Sequence, residues 1–159
     1  MKIFLSHQKA DSELTARIAA RLKINHGLDC YLDLIDPYVS GSVERLADHI
    51  RSEMGRCTQL LAVVSPSTVN SQWVPWEIGM ATEKDFPLAT FSGGNALPPE
   101  FLRKWPYLRT DADLDKYAAA TKSARQTFTR KRNIGINETA STHDATREFF
   151  MTLRASLGQ

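Results

Sequence analysis

The sequence lacks the features that define several protein classes. Its 159 residues include only two cysteines and eight glycines, and 20 Lys and Arg stand against 18 Asp and Glu. No apolar run approaches the roughly 18 residues of a membrane-spanning helix. A charge balance this close to zero gives no concentrated basic surface for nucleic acid. We therefore expect neither a membrane nor a nucleic acid as partner.

The two cysteines, Cys30 and Cys57, show neither metal-ligand spacing nor the framework of a secreted disulfide domain. Both adjoin apolar runs, which favours reduced, packed thiols. The N-terminal MKIFLSH is too short for a signal peptide. These features predict a cytoplasmic protein without a metal site.

Short apolar runs alternate with helical patterns, which is typical of strands joined by crossover helices in an α/β fold. The predicted strands cover 2–6, 28–33, 59–65, 87–91 and, more weakly, 107–110. The predicted helices cover 12–25, 43–55, 72–84 and 111–129, with Asp11 and Ser12 as the cap of the first. The stretch 59–65 is the most hydrophobic of the chain, with a continuous apolar run over 60–64, which predicts a central strand covered on both faces.

The C-terminal region has a different pattern. Residues 129–143 are a predicted polar connection, followed by an amphipathic helix with Phe149, Leu153 and Leu157 in register. We divide the chain into a domain over 1–130 and a segment over 131–159, whose helix packs on the domain or extends it.

The residues directly after the first strand exclude two nucleotide- or phosphate-related α/β classes. No glycine-rich turn is present there, as a dinucleotide-binding Rossmann domain requires. Ser6, His7 and Gln8 occupy the place where a response-regulator receiver needs acidic residues. In a parallel sheet the ligand crevice lies at the carboxyl ends of the strands, so Ser6 and His7 are candidate site residues on position alone.

The stretch SQWVPWE, residues 71–77, begins shortly after the central strand and so belongs to the same edge. Pro75 is tolerated only in a first helical turn, which places the start of the helix near Trp73. Trp73 and Glu77 are four residues apart and share a helical face, with Trp76 directed into the fold. Two interpretations remain open: a packed aromatic anchor, or a rim carboxylate beside an exposed ring, suited to stabilising a developing ribosyl cation.

Four segments in this order resemble the TIR (Toll and interleukin receptor) family, and in particular its prokaryotic NAD-cleaving branch. They are KIFLSHQKAD, YLDLID, RCTQLLAVVSP and SQWVPWEIGMA, and the resemblance extends from residue 2 to about residue 120. It implies a flavodoxin-like three-layer sandwich around a central five-stranded parallel sheet. This agrees with the α/β winding of the strand and helix patterns.

The resemblance also implies roles for residues at the carboxyl edge. Glu77 matches the catalytic glutamate that contacts the nicotinamide ribose of NAD+, and Trp73 offers a stacking face. Phe4, Ser6 and His7 match the first-strand motif that borders the substrate pocket. The alternative for His7 is a polar rim residue without a special role. NAD+ is then the substrate, and no cofactor is implied.

The loop after the second strand corresponds to the family's assembly loop and includes Asp36, Pro37, Tyr38 and Gly41. It implies self-association through TIR–TIR contacts, although DPYVSG departs from the arginine and proline-glycine form of receptor members.

The overall activity implied is that of an NAD+ glycohydrolase or cyclase that releases nicotinamide. Its ADP-ribose-derived product would signal to a separate effector protein in antiphage defence, as in Thoeris-type TIR proteins. The alternatives are a noncatalytic TIR–TIR interaction module and an NAD+-depleting toxin.

Overall fold

The computed structural model describes residues 1–32, 43–93 and 97–159. The strands are β1 (Lys2–Ser6), β2 (Asp29–Leu32), β3 (Gln59–Val63), β4 (Leu88–Phe91) and β5 (Tyr107–Leu108). The helices are α1 (Ser12–His26), α2 (Val43–Gly55), α3 (Trp73–Glu83), α4 (Asp111–Asn133) and α5 (Glu138–Leu157). Short 3-10 turns lie at Lys9–Asp11, Pro66–Asn70 and Glu100–Leu102.

The five strands form one parallel sheet in the order β2-β1-β3-β4-β5. This is the flavodoxin-like order, and it confirms the predicted α/β sandwich with a five-stranded parallel sheet. The order reverses between β1 and β3, where Ser6 is opposite Ala62 in the ladder. In an open parallel sheet this reversal leaves a crevice at the carboxyl ends of the two strands.

Two hydrophobic clusters cover the two faces of the sheet. Leu61 and Val63 of β3 pack with α1, α4 and α5, whereas Leu60 and Ala62 pack with α2 and α3. All five residues of β3 are buried, because successive side chains of a strand point to opposite faces and both faces are covered here. The prediction of a central strand is confirmed.

The ends of two helices follow from their sequences. After α1, Gly27 adopts a φ of +68° and its N–H donates to the Lys23 carbonyl oxygen at 2.9 Å. A left-handed residue at this point satisfies the last carbonyl groups, and glycine adopts it without a Cβ clash. Helix α3 begins at Trp73 with Pro75 in its first turn, as predicted.

The predicted polar connection over 129–143 is wrong in extent. Helix α4 continues to Asn133 and α5 begins at Glu138, so only residues 134–137 connect them. Polar residues fill the exposed faces of two long helices here, and Lys131 of α4 forms an ion pair with Asp144 of α5. The Asn137 side chain caps α5 by accepting the Ala140 N–H at 2.8 Å. The division of the chain at residue 130 stays a prediction.

Both cysteines are free thiols, as predicted from their apolar surroundings. Burial raises the pKa of Cys30 to about 12 and that of Cys57 to about 11, so both are protonated at neutral pH. Among the described helices, none has the length and apolar content needed to cross a bilayer.

Candidate active site

A buried carboxylate lies at the carboxyl edge of the sheet, beside the β1–β3 reversal. Ser6, the last residue of β1, has no exposed surface, and its hydroxyl donates a hydrogen bond to Oε2 of Glu77. Alternation along β1 turns Phe4 and Ser6 towards the face covered by α3. Glu77 shares the inward side of α3 with Val74, Ile78 and Ala81. Strand and helix periodicity together bring the two side chains into contact.

The carboxylate is not on an open rim, as the sequence suggested, because only 2% of Glu77 is exposed. Its position in the second turn of α3 places it one turn deeper than Trp73, under the helix and against the end of β1. The interpretation of Glu77 as an exposed rim carboxylate is therefore wrong. A charge in such a site interacts more strongly with a nearby developing charge than it would in water.

The two tryptophans of α3 contact each other. Their ring centroids are 5.4 Å apart with planes at 79°, and both are half-buried against the cluster under α2 and α3. Trp76 packs against the core, as predicted, but Trp73 packs there as well, and both indoles stay partly accessible. Trp73 is the nearer of the two to the carboxyl edge, because α3 starts there.

His7 and Phe4 make contacts of their own, and no contact of either with Glu77 is described. Nδ1 of His7 donates to the Leu5 carbonyl oxygen at 3.2 Å, and Nε2 is 3.4 Å from the Ser12 hydroxyl oxygen at the start of α1. Phe4 has no exposed surface, and its ring lies 5.3 Å from that of Tyr31. The structure thus places His7 beside α1 and Phe4 in the core, and their roles as substrate contacts stay predictions.

A second buried carboxylate at this edge was missed from the sequence. Asp11 was expected to cap α1, but its side chain makes no cap bond and Oδ2 instead accepts the Ser65 hydroxyl at 2.9 Å. The Ser65 oxygen also accepts the Ser67 N–H at 3.2 Å. This chain of hydrogen bonds ties the start of α1 to the segment that leads into α3. Ser65 ends the predicted strand 59–65, and no local sequence pattern links it to Asp11.

Gln8 provides an unused acceptor near the same edge. Its Oε1 atom is buried and has no hydrogen-bond partner among the described residues. Buried acceptors are satisfied in most structures, and an exception often marks a place where a ligand or water binds.

Asp36, Pro37, Tyr38 and Gly41, the predicted assembly loop, lie outside the described residues. Of the remaining candidates, the structure brings Ser6 and Glu77 together, with Trp73 one helical turn away on α3. The geometry offers a fixed, water-shielded carboxylate one helical turn from a partly accessible aromatic ring, at the edge where parallel sheets bind ligands.

Comparisons with known proteins agree with this architecture. A family model described as the TIR domain matches residues 3–123, and no curated protein matches the chain. Among solved structures, a 2-deoxyribosyltransferase from Bacillus psychrosaccharolyticus is similar with a TM-score of 0.59 and 14% identity, over 74% of this chain and 92% of that one. The SEFIR domain of interleukin-17 receptor B is similar with a TM-score of 0.52 and 10% identity, over 75% and 92%. At these identities the two structures share the fold.

Proposed function

The chain belongs to the TIR domain family, and from this premise we propose that it cleaves NAD+ at the bond between nicotinamide and ribose. The observation that supports the proposal most directly is the Ser6–Glu77 hydrogen bond, which fixes a buried carboxylate at the carboxyl edge of the sheet. Glu77 follows Trp73 by four residues, the spacing that the resemblance to NAD-cleaving TIR proteins associates with catalysis. A fold shared with a deoxyribosyltransferase is compatible with chemistry at a ribosyl carbon.

The proposed reaction breaks the bond between the ribose C1′ atom and the pyridinium nitrogen. Nicotinamide leaves as a neutral molecule with the bonding electron pair, and positive charge develops on the ribosyl C1′–O4′ unit. The Glu77 carboxylate stabilises this charge, which is greater in the transition state than in bound NAD+. Water can then add to C1′ with loss of a proton and give ADP-ribose. A hydroxyl or ring nitrogen of the same molecule can add instead and give a cyclic product, provided that water is excluded.

A conformational step belongs to the proposal, because a carboxylate with 2% exposure cannot contact a substrate as it stands. We propose that self-association, which is common among TIR domains, rearranges the carboxyl edge and completes the pocket. Binding energy between protomers would then offset the cost of uncovering Glu77. On this account, dilute protein is weakly active.

The main alternative is a noncatalytic TIR–TIR interaction module, which the deep burial of Glu77 favours. In that case Ser6 and Glu77 only join β1 to α3. If the protein cleaves NAD+, two roles are possible. We propose an antiphage enzyme of the Thoeris type whose product signals to a separate effector, and the alternative is a toxin that depletes NAD+. The nature of the product separates these two.

The test is to incubate the purified protein with NAD+ over a wide range of protein concentrations. We expect nicotinamide release whose rate rises faster than linearly with protein concentration, because assembly completes the site. Mass spectrometry then identifies the product: a cyclic or conjugated ADP-ribose supports signalling, and linear ADP-ribose alone supports depletion. If light scattering shows that the protein is assembled and it still releases no nicotinamide, the noncatalytic interaction module is the better account.

Trp73 provides a second test, because Trp76 is a matched control on the same helix. Stacking of a base on an aromatic side chain contributes about 1–3 kcal/mol, so Trp73→Ala should lower kcat/KM for NAD+ about 5- to 150-fold. Trp76→Ala removes the same indole and the same ring contact and should leave kcat/KM within about threefold if it only packs. Equal losses of activity and of Tm in both variants would identify the pair as a packing anchor.

A further inference from the structure

A cavity lies at the amino ends of the strands, on the opposite edge of the sheet from Glu77. Its volume is about 370 Å³, and Cys57, Gln59 and Pro87 mark its position at the beginnings of β3 and β4. Phe86, Phe128 and Ala145 contribute apolar walls. The size lies within the range of small-molecule sites, and largely apolar walls are typical of them.

The cavity depends on α5, which lies beyond the TIR family match that ends at residue 123. Thr142, Ala145 and Thr146 of α5 line one side, and the turn after α3 lines another. This turn is held in place by the Thr146 hydroxyl, which donates to the Asp85 carbonyl oxygen at 3.0 Å. Asp85 has a φ of +54°, a left-handed conformation that aspartate tolerates better than most residues. The C-terminal helix therefore adds a wall to this cavity at the amino ends of the strands, which stays partly open to solvent.

A buried amide gives the cavity a polar wall. Gln59 is 2% exposed, and its Nε2 donates to the Tyr117 hydroxyl at 2.8 Å and to the Thr121 hydroxyl at 3.1 Å, which uses both amide hydrogens. The one hydrogen bond described for its Oε1 atom comes from Thr121 at the long distance of 3.5 Å. A carbonyl oxygen has two lone pairs. Gln59 thus has acceptor capacity for a ligand N–H group, but no free donor to offer.

The charged lining residues favour a neutral ligand. Two are cationic and two are anionic, and all four are exposed at the mouth: Lys84, Arg125, Asp85 and Glu138. The charges of these four side chains balance in number, so the lining side chains favour neither a cation nor an anion. Transfer of an ionised group past them into the apolar interior would also cost its hydration.

We propose that this cavity is a second ligand site, for a small neutral molecule with a flat apolar body and a carboxamide N–H that donates to Gln59 Oε1. The apolar body would lie between Phe86, Phe128 and α5. The site is remote from the carboxyl edge, so the proposal holds whether or not Glu77 cleaves NAD+.

The probe for this site is 2-naphthamide, with two analogues that both lack the N–H donor and differ from each other in charge. N,N-dimethyl-2-naphthamide lacks the N–H donor, and 2-naphthoate carries a negative charge. Chain labelled with ¹³C at the alanine methyl groups reports the position of binding by NMR. We expect saturable shifts at Ala124 and Ala145, which line the cavity, and none at Ala62 on the α3 side of β3. Loss of one hydrogen bond should weaken binding of the dimethyl analogue about fivefold to tenfold, and 2-naphthoate should bind more weakly still.

Two variants on α5 locate the site. Thr142→Phe places a ring in the cavity and should abolish the shifts at Ala124, whereas Thr152→Phe makes the same change outside the cavity and should preserve them. Both are checked for an unchanged fold by the methyl signals of the α3 side. Equal affinity for the three compounds, unchanged binding to Thr142→Phe, or no saturable shift at Ala124 and Ala145 with the unchanged protein would overturn the proposal.

Discussion

The Glu77→Gln protein is expected to release nicotinamide from NAD+ about 10²- to 10³-fold more slowly than the unchanged protein, the usual effect of removing one preorganised group that stabilises transition-state charge. Glutamine has the shape of glutamate, and its carbonyl oxygen can still accept the Ser6 hydroxyl. The negative charge opposite the ribosyl cation is the property that is lost. Nicotinamide release under saturating NAD+ measures the effect, with protein concentrated enough to assemble.

Glu83→Gln is the matched control for this experiment. Glu83 is the last residue of α3 and is exposed, so its change removes the same charge from the same helix at a site remote from the carboxyl edge. We expect its rate within about twofold of the unchanged protein, as for other surface substitutions. Wild-type nicotinamide release by Glu77→Gln would contradict the assigned mechanism. A rate that falls only in proportion to the folded fraction would instead assign Glu77 a structural role.

The fold was predictable because its determinants repeat along the chain. Five apolar runs alternate with amphipathic helical patterns, and this alternation predicted the α/β fold. The continuous apolar run within 59–65 predicted that β3 is the central strand. Each signal sums over several residues, so one exception does not obscure it. The same reasoning placed the start of α3 correctly, since Pro75 fits the first turn of a helix and is not tolerated further in.

The environment of the candidate site was less predictable, because it depends on contacts between distant residues. Ser6 and Glu77 are separated by 71 positions, and Asp11 and Ser65 by 54. Helical periodicity predicts that Glu77 and Trp73 lie on the same face of α3, but it does not predict whether other parts of the protein cover that face. Burial of Glu77 follows from how α3 lies on the end of β1, which is a property of the packed sheet and helix. For the same reason Asp11 was assigned to the nearest helix end.

The prediction of a polar connection over 129–143 was wrong for a different physical reason. Residues 129–137 contain few apolar side chains, and polarity alone was interpreted as a loop. A long helix with one solvated face has the same composition, and its stability comes from packing on the other face. Here that packing is with α5, whose buried residues include Ala145, Phe149 and Leu153 in the cluster on the α1 side of the sheet. Helix α5 is thus part of the same hydrophobic core as β1 and β3.

The contribution of α5 can be measured at Phe149. This side chain has no exposed surface, and its ring makes edge-to-face contacts with Tyr117 at 5.6 Å and Phe150 at 5.5 Å. Phe149→Ala removes buried apolar surface and leaves a cavity beside α4, which typically costs about 3–5 kcal/mol of unfolding free energy. In a domain of this size that corresponds to a fall in Tm of about 6–20 °C. Urea titration and thermal unfolding measure the two quantities independently.

Phe150→Ala is the control, because it deletes the same atoms from a neighbouring, half-buried position. Its loss of unfolding free energy should be less than half as large, since part of the ring is already in contact with water.

A chain that ends at residue 133 extends the test to the whole helix. Without α5 the core around Tyr117 is exposed to water, and we expect no cooperative unfolding transition. If that shortened chain unfolds cooperatively at the Tm of the full chain, and Phe149→Ala is as stable as Phe150→Ala, then α5 is an appendage and the division of the chain near residue 130 is the correct one.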